Sequence, residues 1–334
     1  MTPVRLAMLL FGTAAFAALA IHAGMAMFIR ALGMLRLGGF AIITLMHLPV
    51  IILMGLAWWT VGRDAQGATP AKFMAARLVR DSVAEVLPFS QIGGFLSGLR
   101  LLSLLGLDRL ISALSMLADL MIEFAAKLAY TLVGVLTLAY LIPSAHPVQP
   151  VFFALASILA VLAAITAFRE QLRYRLGNIA SRLVRKWVPS RYAGDLQPGF
   201  ARFFTWSRAL PNFAIHAGCW LFGAFEAWVT LRLMGVAVTG TEALSIDSLA
   251  TALRTFGFLV PAAIGVQEAG YVLVCALFGI GPAEAVAFSL ARRARDLTLG
   301  LPGLMAWQFL ETRAYRQRKR TAATSGMFQR DLGR

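Results

Sequence analysis

Long apolar blocks separated by short polar segments run through most of this chain. An apolar block of about 20 residues is long enough to cross a bilayer as a helix. We therefore predict an all-α polytopic membrane protein with about six full spans. The predicted spans are residues 6–29, 40–61, 115–142, 151–168, 211–235 and 284–310.

Two further apolar blocks, about 73–114 and 249–280, are interrupted by proline, glycine and charged residues. Broken helices are tolerated at membrane depth only beside protein or a water-filled cavity. Two such elements in corresponding halves of a chain favour a transporter binding site, with both elements re-entrant and in inverted arrangement. Elements that each cross the membrane twice remain an alternative. The residues predicted to break the helices are Pro88, Gly93, Gly94, Pro261 and Gly265.

A polar stripe of Asp119, Glu123 and Lys127 lies inside one predicted span. The spacing of four residues places all three side chains on one helix face. Two interpretations of this stripe remain open. It forms a wall of the same cavity as Arg80, or it is a self-neutralising stripe that only packs against neighbouring helices.

The composition supports a membrane protein. The chain is 59% hydrophobic and only 14% charged, whereas about a quarter of the residues in soluble domains are charged. Mean hydropathy is +0.73. The net charge of +15 is explained by lysine and arginine in cytoplasmic segments, so no nucleic-acid partner is predicted.

The distribution of charge predicts the topology. Basic residues concentrate in 169–194 and in the tail 313–334, whereas the loops 142–150 and 236–248 contain no lysine or arginine. The positive-inside rule therefore predicts a bacterial inner-membrane protein with both termini cytoplasmic and those two loops periplasmic. The segment 169–194 also carries a helical apolar stripe, which indicates an amphipathic surface helix. Residues 1–312 form the single predicted transmembrane domain.

The sequence offers little conventional catalytic chemistry. Its 4 histidines are scattered without the spacing of metal ligands. It contains no P-loop, nucleophile-elbow or metalloprotease pattern. We therefore predict no catalytic residue, no metal site and no cofactor.

Three segments carry a family resemblance: LPFSQIGGFLSGLRLL (87–102), PAAIGVQEAGYVL (261–273) and ARRARDLTLGLPGL (291–304). With these segments the chain resembles the flippase-like family built on the transmembrane region of lysylphosphatidylglycerol synthase. The segments QIGGF and GVQEAGY are most similar to its hopanoid-biosynthesis-associated branch.

The resemblance covers essentially the whole chain and implies an all-helical membrane bundle with re-entrant elements that moves a lipid between leaflets. Arg100 and Glu268 match positions that the family tends to keep, whereas Phe95 stands where many relatives have glutamate. No segment resembles the soluble aminoacyl-transferase domain of the bifunctional synthases, so an enzyme is not expected.

The leading hypothesis is a flippase-like lipid translocase for a polar or hopanoid-type lipid, with an arginine-lined cavity at the two broken helices. Arginines would donate charge-assisted hydrogen bonds to a phosphate or other polar headgroup. Carboxylates would orient these arginines or meet a cationic headgroup. Alternatively, the charges pair with each other and tie the bundle together. The predicted headgroup-binding residues are Arg80, Asp81, Gln91, Arg100, Arg254, Gln267, Glu268, Arg295 and Asp296.

Two other functions stay open. An intramembrane lipid-modifying enzyme would need a positioned base, for which Glu268 is the only candidate. A membrane scaffold would hold enzymes of hopanoid or lipid biosynthesis through its basic surface segment and tail. The expected partners are membrane lipids, with lipid-biosynthesis enzymes as a second class.

Overall fold

Helices make up all the regular secondary structure in the described part of the computed structural model, which comprises residues 25–86, 90–142, 205–256 and 265–331. The all-α class is therefore confirmed for this part of the chain. The helices are α1 Met25–Gly62, α2 Pro70–Val86, α3 Ser90–Leu104, α4 Arg109–Leu141, α5 Trp206–Leu233, α6 Gly240–Phe256, α7 Val266–Ala276 and α8 Pro282–Asp331.

Three of the described helices are long and apolar enough to cross a membrane: Gly33–Gly62 within α1, α4, and α5. They coincide with the predicted spans 40–61, 115–142 and 211–235. The predicted span 284–310 lies inside α8, which is not among these three. The total number of spans therefore stays a prediction.

Several predicted segments lie outside the described residues. They are most of the first span, the loop 142–150, the span 151–168, the surface segment 169–194, Pro88 and Pro261.

The first broken element is formed by α2 and α3, which pack closely against each other. A Cβ atom added at Gly94 would lie 2.5 Å from the carbonyl oxygen of Arg80 and 3.1 Å from Cβ of Ala84. Gly93 and Gly94 lie inside α3 and not at the interruption. The predicted helix-breaking role of these two glycines is therefore wrong. Gly94 is instead needed because the backbones of the two helices approach each other here.

The second broken element is formed by α6 and α7. Gly265 immediately precedes α7 and has φ +80°, a conformation that glycine adopts far more readily than other residues. The Glu268 carboxylate accepts a hydrogen bond of 2.8 Å from the Gly265 N–H, which satisfies a free donor at the helix start. Gly265 thus lies at the start of α7, and its role in breaking a longer helix stays a prediction, since residues 257–264 lie outside the described part of the chain.

Each broken element packs into its own apolar core. Trp58 of α1 and Phe73 of α2 are fully buried in one core, with their rings edge to face at 5.4 Å. Tyr271 of α7 and Phe288 of α8 are buried in the other, at 4.9 Å. Charged side chains occupy the space between these two cores. The outer faces of α1, α4 and α5 instead expose large apolar side chains, among them Leu45, Leu136 and Leu221, as expected for surfaces that face lipid.

Candidate functional site: a charged cavity between the broken elements

A cavity of about 600 Å³ lies between the two broken elements, and all eight described helices contribute to its lining. The lining contains as many basic as acidic side chains. The basic residues are Arg77, Arg80, Lys127, Arg254, Arg292 and Arg295, and the acidic residues are Asp81, Glu85, Glu123, Glu226, Asp247 and Asp296. The formal charges of the lining therefore sum to about zero, so the cavity as a whole does not attract anions in general.

One wall is an arginine–carboxylate cluster between α2 and α4. Arg77 donates two hydrogen bonds to Glu123, at 2.9 and 3.1 Å, and one of 2.6 Å to Asp81. Arg80 donates to Glu123 at 3.1 Å. Paired, charge-assisted contacts of this kind are stronger than neutral hydrogen bonds. The two arginines lie one helical turn apart and therefore converge on the same carboxylate.

A second layer of polar groups lies behind this wall. Asp119 and His216 are fully buried, with the His216 Nε2 atom 3.0 Å from Asp119. Asn212 donates a 2.8 Å hydrogen bond to the same carboxylate. Ligand atoms of Asp119, Glu123 and His216 lie within 4.8 Å of one another, close enough to share a cation. However, the guanidinium groups of Arg77 and Arg80 already supply positive charge to both carboxylates.

The opposite wall is formed by α1, α5 and α8. Arg295 donates a 2.8 Å hydrogen bond to Glu226 and a 2.7 Å hydrogen bond to its neighbour Asp296. His47 Nδ1 lies 2.9 Å from the same Glu226 oxygen, Oε2, and 3.1 Å from Oε1. Glu226 is buried, and an ionised carboxylate in that position requires such partners. In this wall, one guanidinium group is therefore shared between two carboxylates.

A third cluster surrounds Asp247 of α6, which is buried. Arg292 donates a hydrogen bond to it, and the Tyr130 hydroxyl donates another of 2.7 Å. The Tyr271 hydroxyl lies 3.5 Å away. Asp247 thereby joins α4, α6, α7 and α8 through one carboxylate.

One ion pair connects the two broken elements directly. Arg254 of α6 donates hydrogen bonds of 2.6 and 2.8 Å to both carboxylate oxygens of Glu85 in α2. Both side chains are about one-third exposed. This pair is therefore more open to its surroundings than the arginine–carboxylate pairs of the two walls.

Six of the predicted headgroup-binding residues line the cavity: Arg80, Asp81, Arg254, Gln267, Arg295 and Asp296. The side chain of Gln91 lies outside the described part of the chain. Gln267 is buried and donates a 3.3 Å hydrogen bond to Ser289. Most of the predicted set is thus brought together in one place.

Arg100 and Glu268 do not line the cavity. Arg100 forms a 2.8 Å ion pair with Glu311 of α8. Glu268 accepts the hydrogen bond from Gly265 and forms a 2.8 Å ion pair with Arg293. Both residues connect helices, and the structure does not bring them together with the predicted headgroup-binding residues that line the cavity.

The cavity-facing interpretation of the polar stripe holds for two of its members. Glu123 and Lys127 line the cavity, and Asp119 lies directly behind it. The self-neutralising alternative is wrong, because Glu123 pairs with arginines of α2 and Lys127 donates to the Thr255 hydroxyl at 3.0 Å. Phe95, where many relatives have glutamate, also lines the cavity. Its ring centroid lies 5.1 Å from the Arg80 guanidinium carbon.

Several cavity residues were not in the predicted set. They are Glu123 and Lys127, which the sequence had placed only in the polar stripe, and His47, Arg77, Glu85, Glu226, Asp247 and Arg292. Some of them could have been found from the sequence, because ionisable residues inside apolar spans usually have a function. Applied to every span, that rule would have selected His47 and Glu226. Arg77 and Arg292 lie one helical turn before predicted site residues and would have followed from helical periodicity.

A comparison with models of known protein families identifies a family to which this chain is similar. The family model described as the lysylphosphatidylglycerol synthase TM region matches residues 5–303, most of the chain, in agreement with the resemblance seen in the sequence. The comparison does not distinguish the hopanoid-associated branch, which stays a prediction. No curated protein and no solved structure matches the chain significantly.

Proposed function

The chain belongs to the family of the lysylphosphatidylglycerol synthase transmembrane region, and we propose that it is a lipid translocase of the bacterial inner membrane. The family and the apolar helices make it a membrane protein of lipid metabolism or transport. Within that class, we propose that it moves a polar or hopanoid-type lipid between the two leaflets. The observation that carries this proposal is the charged cavity inside a bundle whose outer faces are apolar.

A polar headgroup cannot cross the hydrocarbon region cheaply, because it loses its hydrogen bonds to water there. The cavity replaces that water with guanidinium, ammonium, carboxylate and hydroxyl groups. Its volume of about 600 Å³ lies in the range of small-molecule binding pockets. Acyl or polycyclic tails would stay in contact with the apolar outer faces while the headgroup is inside.

The position of the cavity also supports transport. It lies between the helix pair α2 and α3 and the helix pair α6 and α7, which correspond to the two predicted broken elements, and many transporters bind their substrate between such elements. The Arg254–Glu85 pair joins these elements at the cavity. We propose that this pair opens and closes as one element moves relative to the other, which would expose the cavity to each leaflet in turn.

The position of Glu268 favours transport over intramembrane chemistry. This residue was the only candidate for a catalytic base, and it caps α7 while paired with Arg293. It also lies outside the cavity lining. A base must reach the proton that it removes, and Glu268 does not face the space in which a lipid headgroup would bind.

The proposal is tested by reconstituting the purified protein in liposomes that contain fluorescent phospholipids or a fluorescent hopanoid-type lipid. Dithionite bleaches only the outer leaflet, so exchange between leaflets appears as bleaching beyond half of the fluorescence. We expect protein-dependent exchange of at least one of these lipids. Liposomes with protein that bleach no further than protein-free liposomes, for every lipid tested, would contradict the proposal.

Two double variants distinguish the translocase hypothesis from the scaffold hypothesis. Arg254→Gln with Glu85→Gln removes the cavity pair without leaving an unpaired charge, and we expect it to reduce exchange at least tenfold. Arg100→Gln with Glu311→Gln removes a partly buried pair outside the cavity and is the matched control. A scaffold would tolerate both changes equally, provided that both proteins fold.

A further inference from the structure

Lys127 differs from the other basic residues that line the cavity. Among the described residues, each of the five cavity arginines contacts at least one carboxylate. In the part of the chain that the structure describes, no carboxylate lies within ion-pair distance of Lys127. Its ammonium group donates one hydrogen bond, of 3.0 Å, to Thr255, and lies 4.9 Å from the centroid of the Trp220 ring. An ammonium group has three donors, so two remain for another partner.

The surrounding carboxylates are not available to neutralise Lys127. Glu123, one turn away on α4, accepts hydrogen bonds from Arg77 and Arg80. Glu85 is held by Arg254. Asp247 accepts hydrogen bonds from Arg292 and Tyr130. Lys127 is half-buried and lines the cavity, and the described residues leave two of its donors unused, so its ammonium group is available to an anion that enters the cavity.

We propose that Lys127 is the anion-binding residue of the cavity and that its ligand is the phosphodiester group of a phospholipid. A compact ammonium group with free donors binds phosphate oxygens as a point charge. The cavity arginines already share their charge with carboxylates and serve mainly to hold the helices around the site. This inference rests on the proposed function in that it takes the cargo to be a lipid, and it specifies the class of that lipid.

The neighbourhood of Lys127 favours a lipid over a soluble phosphate ester. Phe124 lies three residues before Lys127 on α4, so the two side chains are neighbours on the helix surface. Phe124 lines the cavity and is 48% exposed. The cavity therefore presents a large apolar side chain to a ligand beside the Lys127 ammonium group. A lipid offers an apolar tail for this ring as well as a phosphate for Lys127, whereas a soluble phosphate ester offers only the phosphate.

The test measures binding to the purified full chain in an uncharged detergent, by the rise in melting temperature as lipid is added. Phosphatidylglycerol carries the phosphodiester, and digalactosyldiacylglycerol is a two-tailed lipid without phosphate. We expect the wild-type protein to bind phosphatidylglycerol at least tenfold more tightly than the galactolipid. Lys127→Met should weaken binding of phosphatidylglycerol by about tenfold or more, the loss expected for a charged hydrogen bond, and leave the galactolipid unchanged.

Two variants serve as controls. Lys127→Arg keeps the charge and should bind phosphatidylglycerol within about threefold of wild type. Lys72→Met removes an exposed lysine that bonds only the Gly67 carbonyl, outside the cavity, and should also bind like wild type. If Lys127→Met does not yield folded protein, Lys127→Gln replaces it in the same comparison.

The results of these binding measurements distinguish a phospholipid from a soluble phosphate ester as the ligand of Lys127. Equal binding of phosphatidylglycerol by wild type and Lys127→Met would overturn the inference. A Lys127-dependent shift with glycerol 3-phosphate as large as that with the lipid would overturn the assignment to a lipid. Lys127-dependent binding without any leaflet exchange in liposomes would leave the anion site intact and contradict the translocase instead.

Discussion

At the scale of single residues, the cavity is stabilised by carboxylates that have several partners each. Glu226 is a clear case, because Arg295 and His47 both contact it and it is buried. Removing one partner of a buried ion pair leaves an uncompensated charge, which commonly costs about 3–5 kcal/mol. The loss of stability caused by a substitution in this cluster therefore depends on which charged side chains are left without a partner.

Glu226→Gln should destabilise the protein by up to about 3 kcal/mol, at the lower end of that range because Arg295 keeps Asp296 as a partner. Adding Arg295→Met should lower the stability further, because Asp296 then loses the guanidinium group that neutralises it. Thermal unfolding in detergent measures both effects. Glu242→Gln is the control: the Glu242 side chain caps the start of α6 by accepting hydrogen bonds from Thr239, glutamine can accept them as well, and the variant should stay within about 1 kcal/mol of wild type. A double variant as stable as Glu226→Gln alone would contradict this description.

At the same scale, the sequence could indicate which residues are unusual but not what they contact. Arg80 and Arg254 were selected because charge inside apolar segments is rare, and both line the cavity. Their partners come from distant parts of the chain, such as Glu85 for Arg254, and one sequence contains no signal for such pairing. Arg100 looked equivalent to them in sequence, yet it pairs with Glu311 away from the cavity.

At the scale of elements, glycine has two uses that a sequence does not distinguish. Gly265 begins a helix with positive φ, whereas Gly94 lets two helices touch. Both occur near a proline in similar contexts, so the sequence predicted a break at each. The role of Gly94 can be distinguished from that of Gly265 only when the packing of α3 against α2 is known.

This difference predicts opposite effects at two adjacent positions. Gly94→Ala would bring a Cβ atom to 2.5 Å from the Arg80 carbonyl oxygen, so α2 and α3 must move apart at a cost of about 1–3 kcal/mol. Gly93→Ala would meet only Val83, at 3.5 Å, and should be neutral or gain up to about 1 kcal/mol from helix propensity. Melting temperatures of the two variants check this prediction. Equal shifts would contradict the close approach of the helices.

At the scale of the whole molecule, the sequence predicted the helical class and the approximate place of the cavity more readily than the number of spans. Hydropathy identified α1, α4 and α5 because these helices are apolar over their full length. The helix α8 carries Arg292, Arg293 and Arg295 in its first half, so hydropathy alone does not identify it as a span. Its position relative to the membrane depends on partners in α5, α6 and α7 that neutralise these charges.

Topology is the second prediction at this scale. In a background with Cys219 and Cys275 replaced by alanine, Thr241→Cys should react with a membrane-impermeant maleimide from the periplasmic side. Arg313→Cys should react only after the inner membrane is permeabilised. Both positions are exposed, and the expectation follows from the distribution of lysine and arginine. The reverse pattern of labelling would contradict the predicted orientation.

The central claim is that a lipid passes through the cavity as the two broken elements move relative to each other. In the same cysteine-free background, Glu85→Cys with Arg254→Cys replaces the pair that joins these elements with two thiols, which a short thiol-specific reagent can cross-link reversibly. Arg100→Cys with Glu311→Cys is the matched pair outside the cavity.

The decisive measurement is leaflet exchange in the same liposomes before cross-linking, after cross-linking and after reduction. We predict that cross-linking residues 85 and 254 stops exchange, that reduction restores it, and that cross-linking residues 100 and 311 has little effect. Exchange that continues at the same rate with residues 85 and 254 fully cross-linked would contradict the claim.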